Sequence, residues 1–588
     1  MTSLRPRTAT RRLAGLGVSP GIASGRAHVL RRGRIEAPRY RLAPEDVTGE
    51  VARLADASSR ARAELEAIRD RLAERAGPAV EDLAQIIDVQ IAMVSGSRLM
   101  RAAEVRISDG RQNAESALED TLEEFARAYA EMDDAYLASR ISDIRAAAER
   151  VMASLGAQAG GDLTDLPEGT ILLAREITPA DAAMMDPARI AGFAAEMGGA
   201  QGHTAIMARA LGIPAVLGVD GLLDEVRAGD EVVIDGAGMV VIDPDPATRA
   251  SVERRRAEAR DRDRRLRGLA SEPAVTADGV AVTLTANIEL PAEVAAALSN
   301  GAEGIGLVRS EFVFLNRATM PGEEEQAELL GDIVRRMNGR PVTIRTLDVG
   351  GEKALPALAD YLGDCPNPAL GLRAVRLSLR APDLLRMQLA AILRAAVHGP
   401  VRILLPMITT GREMRQVRAA LAEVAAGLRQ RGVAVPDPLP PLGAMIEVPA
   451  AALAADSLAR DADFFSIGTN DLTMYALAID RANEQVADLY DPLNPAVLRL
   501  IQFTTAAAQR AGIPVNICGE IAGDPWFTPL LLGLGLTDLS MTAQSLLSVK
   551  QRVRSLSAAD ARATAQAAMA ETDPVRIAAV LDQASASA

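Results

Sequence analysis

Apolar and polar residues are patterned in three distinct ways along the 588-residue chain. Over residues 36–156, Leu, Ile and Val recur three and four positions apart among Ala, Glu and Arg, with almost no Gly or Pro inside the periodic parts. That spacing predicts a helical bundle. The flanking stretches, 1–35 and 157–245, instead carry short apolar runs between turn residues, among them TILLA, IAGFAAE, AVLGV, EVVID and MVVID. These predict strands of a small α/β domain into which the bundle is inserted. Residues 246–271 open on a proline and continue as mixed Arg, Glu and Asp, which predicts a solvated linker helix. From 272 to 575 eight apolar runs alternate with helical patterns: VTLTANIEL, GIGLVRSE, PVTIRTLDVGG, VRILLPMI, LGAMIEVP, FFSIGTND, PVNICGE and LTDLSMT. Eight β–α repeats predict a closed, TIM-like (β/α)8 barrel, followed by a tail at 576–588. The fold class is therefore multidomain α/β.

The polar residues in the barrel region are not scattered. Arg309, Arg345, Glu447, Asn470, Asp471 and Cys518 each fall at the C-terminal end of an apolar run. A barrel gathers those ends on one face, where its active sites are built. Two arginines on adjacent strands offer charged forks for phosphate and carboxylate oxygens. Glu447 and Asp471 are hard oxygen ligands of the kind Mg²⁺ takes one or two at a time. Such a rim suits a small phosphorylated acid, yet it holds no histidine nucleophile.

Composition narrows the partners. A formal net charge of −14 argues against nucleic acid as the main partner. No apolar run approaches the ~20 residues of a membrane span. The basic N-terminus reads as a short exposed tail, and two cysteines, Cys365 and Cys518, suit a reducing cytoplasm. Only three histidines occur, His28, His203 and His398. His203 lies in GGAQGHTAIMARALGIP, where a glycine-rich loop meets a helical pattern. On local pattern alone, His203 serves equally well as a helix cap or as a nucleophile. A helix N-terminus there would present free N–H groups to an anion, and the glycines would allow close backbone approach. His28, His398 and Cys365 are read as structural residues.

The motifs GHTAIMARALGIPA, GIGLVRSEFVF, IRTLDVGGEKALP, NPALGLRAVR, FFSIGTNDLTMYALAIDR and NICGEIAGD resemble those of enzyme I of the bacterial phosphoenolpyruvate-dependent phosphotransferase system. The similarity runs from near residue 17 to about residue 575. It implies a phosphohistidine swivel domain (1–35 and 157–245), an inserted domain that docks the carrier protein HPr (36–156), the linker helix, and a phosphoenolpyruvate-binding barrel. The stretch MDDAYLASRISDIR, 132–145, resembles the end of the family's helical domain.

By that resemblance His203 is the phosphorylated histidine and Cys518 the proton donor to the leaving enolate. Arg309, Arg345 and Arg481 bind phosphoenolpyruvate, Asn470 contacts its phosphate, and Glu447 and Asp471 hold Mg²⁺. Thr178 lies beside the histidine, and Lys353 and Arg373 support the site. The resemblance further implies a cytoplasmic homodimer joined through the barrel, with pyruvate as product and HPr as acceptor. Two departures stand out: Gly202 replaces a serine common before the histidine, and Gln90 replaces a frequent histidine of the helical domain. The alternative reading, a pyruvate phosphate dikinase or phosphoenolpyruvate synthase-like enzyme, requires a nucleotide-binding domain for which the sequence shows no Gly-rich phosphate loop.

Overall fold

The computed structural model describes residues 10–30, 39–73, 87–88, 90–130, 135–156, 166–177, 181, 184–199, 203–314, 319–349, 358, 361, 367–480 and 486–586. Two compact units divide the chain, Met1–Asp261 and Arg262–Ala588.

The first unit is built on a mixed eight-stranded sheet. Its strands are β1 (Arg11–Ala14), β2 (Leu16–Ser19), β3 (Ile22–Leu30), β4 (Thr170–Ala174), β5 (Ile190–Ala195), β6 (Ala215–Leu217), β7 (Glu231–Asp235) and β8 (Met239–Ile242), in the order β1-β8-β7-β3-β4-β5-β6-β2. Strands β3 to β6 run parallel, whereas β7 is antiparallel to β3 and β2 is antiparallel to β6. Every residue of β4 and β6 is buried. A strand covered on both faces needs no polar alternation, so TILLA and AVLGV read as unbroken apolar runs.

Between β3 and β4 the chain leaves the sheet to form helices α1 (Val47–Ala73), α2 (Arg98–Ser108), α3 (Ala114–Ala130) and α4 (Ala135–Leu155). Their seam is a buried set that includes Leu54, Leu65, Ile68, Leu99, Ile107, Leu118 and Val151. Arg53 crosses three of these helices: it pairs with Glu50 at 2.8 Å, with Glu115, and donates to the Leu155 carbonyl at 3.0 Å. Gln90 is fully buried, and neither polar atom of its amide has a hydrogen-bond partner among the described residues. Helix α5 (His203–Leu211) follows β5, and α6 (Pro246–Gly268) follows β8.

The second unit is a closed barrel of eight parallel strands: β9 (Thr283–Ile288), β10 (Ile305–Arg309), β11 (Val342–Arg345), β12 (Val401–Leu405), β13 (Leu442–Ile446), β14 (Phe465–Ile467), β15 (Val515–Ile517) and β16 (Asp538–Met541). Each of the eight apolar runs contains one of them, and β16 closes on β9 in parallel register. A buried cluster of Leu307, Leu404, Met445, Phe464 and Cys518 packs together in this unit. Phe464 fits against β13 because residue 443 is glycine: a Cβ there would lie 2.3 Å from the Phe464 ring.

Two of the three residues read as structural, His28 and His398, are described. His28 is inside β3, paired in register with Leu172. His398 ends a short 3-10 turn, with Nε2 3.1 Å from Arg335 Nη1. Cys365 lies outside the described residues.

Substituting Gly443 by alanine forces its Cβ into the Phe464 ring and is expected to cost about 1–3 kcal/mol, the usual penalty of overpacking. Gly427→Ala, where an added Cβ meets nothing within 4 Å in helix Gly411–Gln430, should instead stabilise by roughly 0.5–1 kcal/mol. Urea midpoints of the two variants, moving in opposite directions from the parent, check the pair.

Candidate active site at the barrel mouth

The C-terminal ends of β10 to β15 carry the chemistry. Arg309 and Arg345 are the last residues of β10 and β11 and face each other in register. Glu447 follows β13 directly, and Cys518 follows β15 directly. Asn470 and Asp471 lie in the first turn of helix α7 (Thr469–Leu477), which begins two residues after β14. Gly519 lets α7 start so close to β15, because a Cβ there would lie 1.7 Å from Thr469 Oγ1.

The centre of the mouth is a network of buried ions. Arg345 pairs with Glu311 at 3.0 Å and with Asp348 at 3.1 Å. Arg373 pairs with Asp348 at 2.9 Å and with Asp471 at 3.5 Å, and donates to the Tyr475 hydroxyl oxygen at 3.0 Å. Burial disfavours the Arg345 cation, but the carboxylates of Glu311, Asp348, Glu447 and Asp471 outweigh it and hold the guanidinium above its ordinary value. Arg373 is raised in the same way: burial opposes the charge, and Asp348 and Asp471 overcome it.

Glu447 has the opposite fate. Burial, then the neighbouring charges of Asp471 and Asp348, push its carboxyl well above the usual carboxylate range, against the pull of Arg345. Its Oε1 accepts a 2.6 Å hydrogen bond from the Met407 N–H. Met407 adopts φ +56°, a left-handed conformation uncommon for a residue with a side chain, and this backbone supplies the bond. Asp348, Glu447 and Asp471 each place a carboxylate oxygen within 4.8 Å of the others, a group able to hold a cation. Three acidic groups at such spacing, one favouring its protonated form, are the donor set a hard divalent cation satisfies.

Around this centre, Arg309 pairs with Glu289. The Asn470 amide donates to Glu520 Oε1 at 2.8 Å, and the Glu520 N–H donates to Asn470 Oδ1 at 3.0 Å. Cys518 is 5% exposed; burial pushes its thiol up, while the Ser466 hydroxyl and the cation of Arg345 pull it down. It therefore stays protonated at neutral pH.

Arg309, Arg345, Glu447, Asn470, Asp471, Cys518 and Arg373 thus share one barrel end. Arg481, Lys353 and Thr178 lie outside the described residues. His203 is the first residue of α5, in the other compact unit, preceded by Gly198 at φ +122°. Sequence reasoning passed over Asp348 and Glu311, both inside motifs it had singled out. The available signal was their placement: each stands within three residues of a rim arginine.

Three family descriptions match the chain: "PEP-utilising enzyme, PEP-binding domain" over residues 263–558, "PEP-utilising enzyme, N-terminal" over 14–140, and "PEP-utilising enzyme, mobile domain" over 166–238. A protein named phosphoenolpyruvate-protein phosphotransferase from Geobacillus stearothermophilus is 43% identical over 548 residues, 93% of each chain. The chain belongs to the phosphoenolpyruvate-protein phosphotransferase family. Proteins of the same name from Cupriavidus necator and Bacillus subtilis are 43% and 38% identical, covering 92% and 93% of this chain and 94% and 95% of their own. Among the described residues, no helix is long and apolar enough to cross a membrane.

Asp471 is the nearest electrostatic reason that Glu447 holds its proton, so Asp471→Asn should lower the Glu447 midpoint. Infrared titration of the carboxyl in protein labelled at glutamate reads this directly. An unmoved or higher midpoint would show that burial alone sets it.

Proposed function

We propose that the chain takes the phosphoryl group of phosphoenolpyruvate onto His203 and passes it to a histidine of the carrier protein HPr. The observation that carries this reading is the barrel mouth, where Arg309, Arg345 and Arg373 and the Asp348–Glu447–Asp471 trio converge. Membership of the family, whose relatives carry this activity in their name, supports it.

In this reading the trio holds Mg²⁺, with Glu447 and Asp471 as its principal ligands. The ion would supply charge neutralisation to the phosphate and carboxylate oxygens of the substrate. Arg345 and Arg373 would direct their guanidinium forks at the substrate's anionic groups. Arg309 binds from the adjacent strand, and Arg481 and Lys353 add positive charge. The Asn470 amide, held by Glu520, would contact a phosphate oxygen.

Neutral imidazole is nucleophilic and titrates near physiological pH, so His203 can both accept and donate the group. The free N–H groups of the first turn of α5 would stabilise the transferred phosphate, with Thr178 proposed as a supporting residue. The enolate left behind needs a proton on carbon, and the protonated Cys518 thiol supplies it. Because His203 and the mouth belong to different compact units, the sheet domain that carries His203 swings, in this reading, between the mouth and HPr docked on the inserted helices, with the linker helix 246–271 ending in the hinges. The protein works in the cytoplasm as a homodimer joined through the barrel, at the head of a sugar-transport relay or its regulatory branch.

Incubation with phosphoenolpyruvate and Mg²⁺ should place one acid-labile phosphoryl group on His203, without ATP, and HPr should remove it. Label on His28 or His398, or full labelling of His203→Ala, would overturn the assignment. Glu447→Ala and Asp471→Ala should each abolish labelling while far-ultraviolet circular dichroism stays that of the parent. Since a cation expels the proton that Glu447 favours, Mg²⁺ affinity should rise with pH above the ordinary carboxylate range. Calorimetric titration across that range measures it, and a pH-independent affinity would exclude Glu447 as a ligand.

A further inference from the structure

Cys518 is held by more than its place after β15. Its backbone N–H donates to the Ile467 carbonyl at 3.1 Å, as the parallel register of β14 and β15 requires. Its own carbonyl accepts from the Asn287 amide on β9 at 2.9 Å, and Ser540 on β16 donates to Asn287 Oδ1 at 2.6 Å. The sulfur is fixed as well. Its S–H is 3.6 Å from the Ile467 carbonyl oxygen, and it accepts a hydrogen bond from the Ser466 hydroxyl at 3.3 Å.

Ser466 is the middle residue of β14 and is fully buried. Its neighbours along the strand are Phe465 and Ile467, and the adjoining cluster is Leu307, Leu404, Met445 and Phe464. Packing there would be served by alanine at no cost in polar desolvation. A hydroxyl placed among such residues is accounted for by what it donates to, and that is the sulfur.

We propose that Ser466 is a positioning residue for Cys518, its hydroxyl holding the sulfur in place and stabilising the thiolate formed when the proton leaves. This rests on the reading of Cys518 as the acid. In that step the C3 carbon of the pyruvate enolate forms a bond to the thiol proton, and the enolate oxygen becomes the ketone carbonyl. The S–H bond breaks with its electron pair staying on sulfur, and the thiolate regains a proton from water before the next turnover. A neutral donor to a neutral thiol gains little, but the same donor to an anionic sulfur forms a charge-assisted bond about twice as strong. Ser466 therefore acts mainly on the state in which the proton has departed.

The test compares two rates in the full chain with Mg²⁺: labelling of His203 by phosphoenolpyruvate in a single turnover, and pyruvate formation with HPr present. Removal of the hydroxyl in Ser466→Ala, and independently in Ser466→Gly, should slow pyruvate formation about 10- to 100-fold, the loss of one hydrogen bond to a charged group. Labelling should fall far less, by under about threefold on the same scale. The alkaline limb of the pyruvate-forming pH profile should move upward, because the thiol loses a donor that favoured its anion. Ser466→Thr, which keeps the hydroxyl, should restore the parent limb. Unchanged pyruvate formation in the hydroxyl-free variants, or labelling that falls by the same factor, would overturn the role of Ser466. Failure of the parent chain to label His203 would instead overturn the functional reading beneath it.

Discussion

Four carboxylates and two guanidiniums share the inside of the barrel mouth, and the terms on which they coexist govern everything built around them. Glu311, Asp348, Glu447 and Asp471 all act on Arg345, which is itself nearly inaccessible to water. Removing ions of this size from water costs several kcal/mol each, and only close, well-oriented partners repay it. At ~3 Å and an effective dielectric constant of about 20, one such contact contributes roughly 5 kcal/mol of attraction before desolvation is subtracted. Two arginines cannot satisfy four carboxylates, and the surplus falls on Glu447, whose carboxyl is driven toward the protonated form. The acidic excess sits between the arginines and gives the mouth an appetite for a cation.

The fold makes this arrangement possible by fixing where each charge emerges. Arg309 and Arg345 are neighbours because β10 and β11 are paired in parallel register. Asp348 reaches both Arg345 and Arg373 because it lies three residues beyond the end of β11. Glu447 depends on a distortion of another loop, the left-handed Met407 that turns its N–H toward the carboxylate. A residue in that conformation carries a strain of order 1 kcal/mol or more, and the hydrogen bond to a buried carboxyl offsets it.

Much of this was legible in the sequence, for identifiable reasons. The eight barrel strands were visible because buried parallel strands are written as unbroken apolar runs, and the rim residues because each one ends such a run. The inserted bundle was visible because its periodicity differs from that of the sheet interrupted at Leu30 and resumed at Thr170. What escaped was set by three-dimensional contact. Asp348 and Glu311 stood in quoted motifs, yet nothing in a linear pattern tells a carboxylate that pairs with a rim arginine from one that faces water. The contribution of Met407 is a backbone N–H, which its side chain does not announce. Ser466 was hidden for a related reason: at the centre of FFSIG it reads as an ordinary small residue of a strand, and its meaning depends on Cys518, 52 positions later in sequence.

The same charge balance agrees with the proposal that the phosphoryl acceptor is His203, in the other compact unit. A histidine fixed inside this mouth would sit among carboxylates that favour the imidazolium, the form without a free lone pair. It would also enlarge a network that is already strained by unequal numbers of opposite charges. His203 instead begins α5, in the compact unit that has its own sheet and helical insertion. The first turn of α5 contains no acidic residue, which suits an anion at this helix N-terminus. One unit is organised to hold positive charge at the end of a helix, and the other to hold an acidic centre between arginines. In the proposed reading a phosphoryl group gains from both environments, first at the arginines and then at the helix.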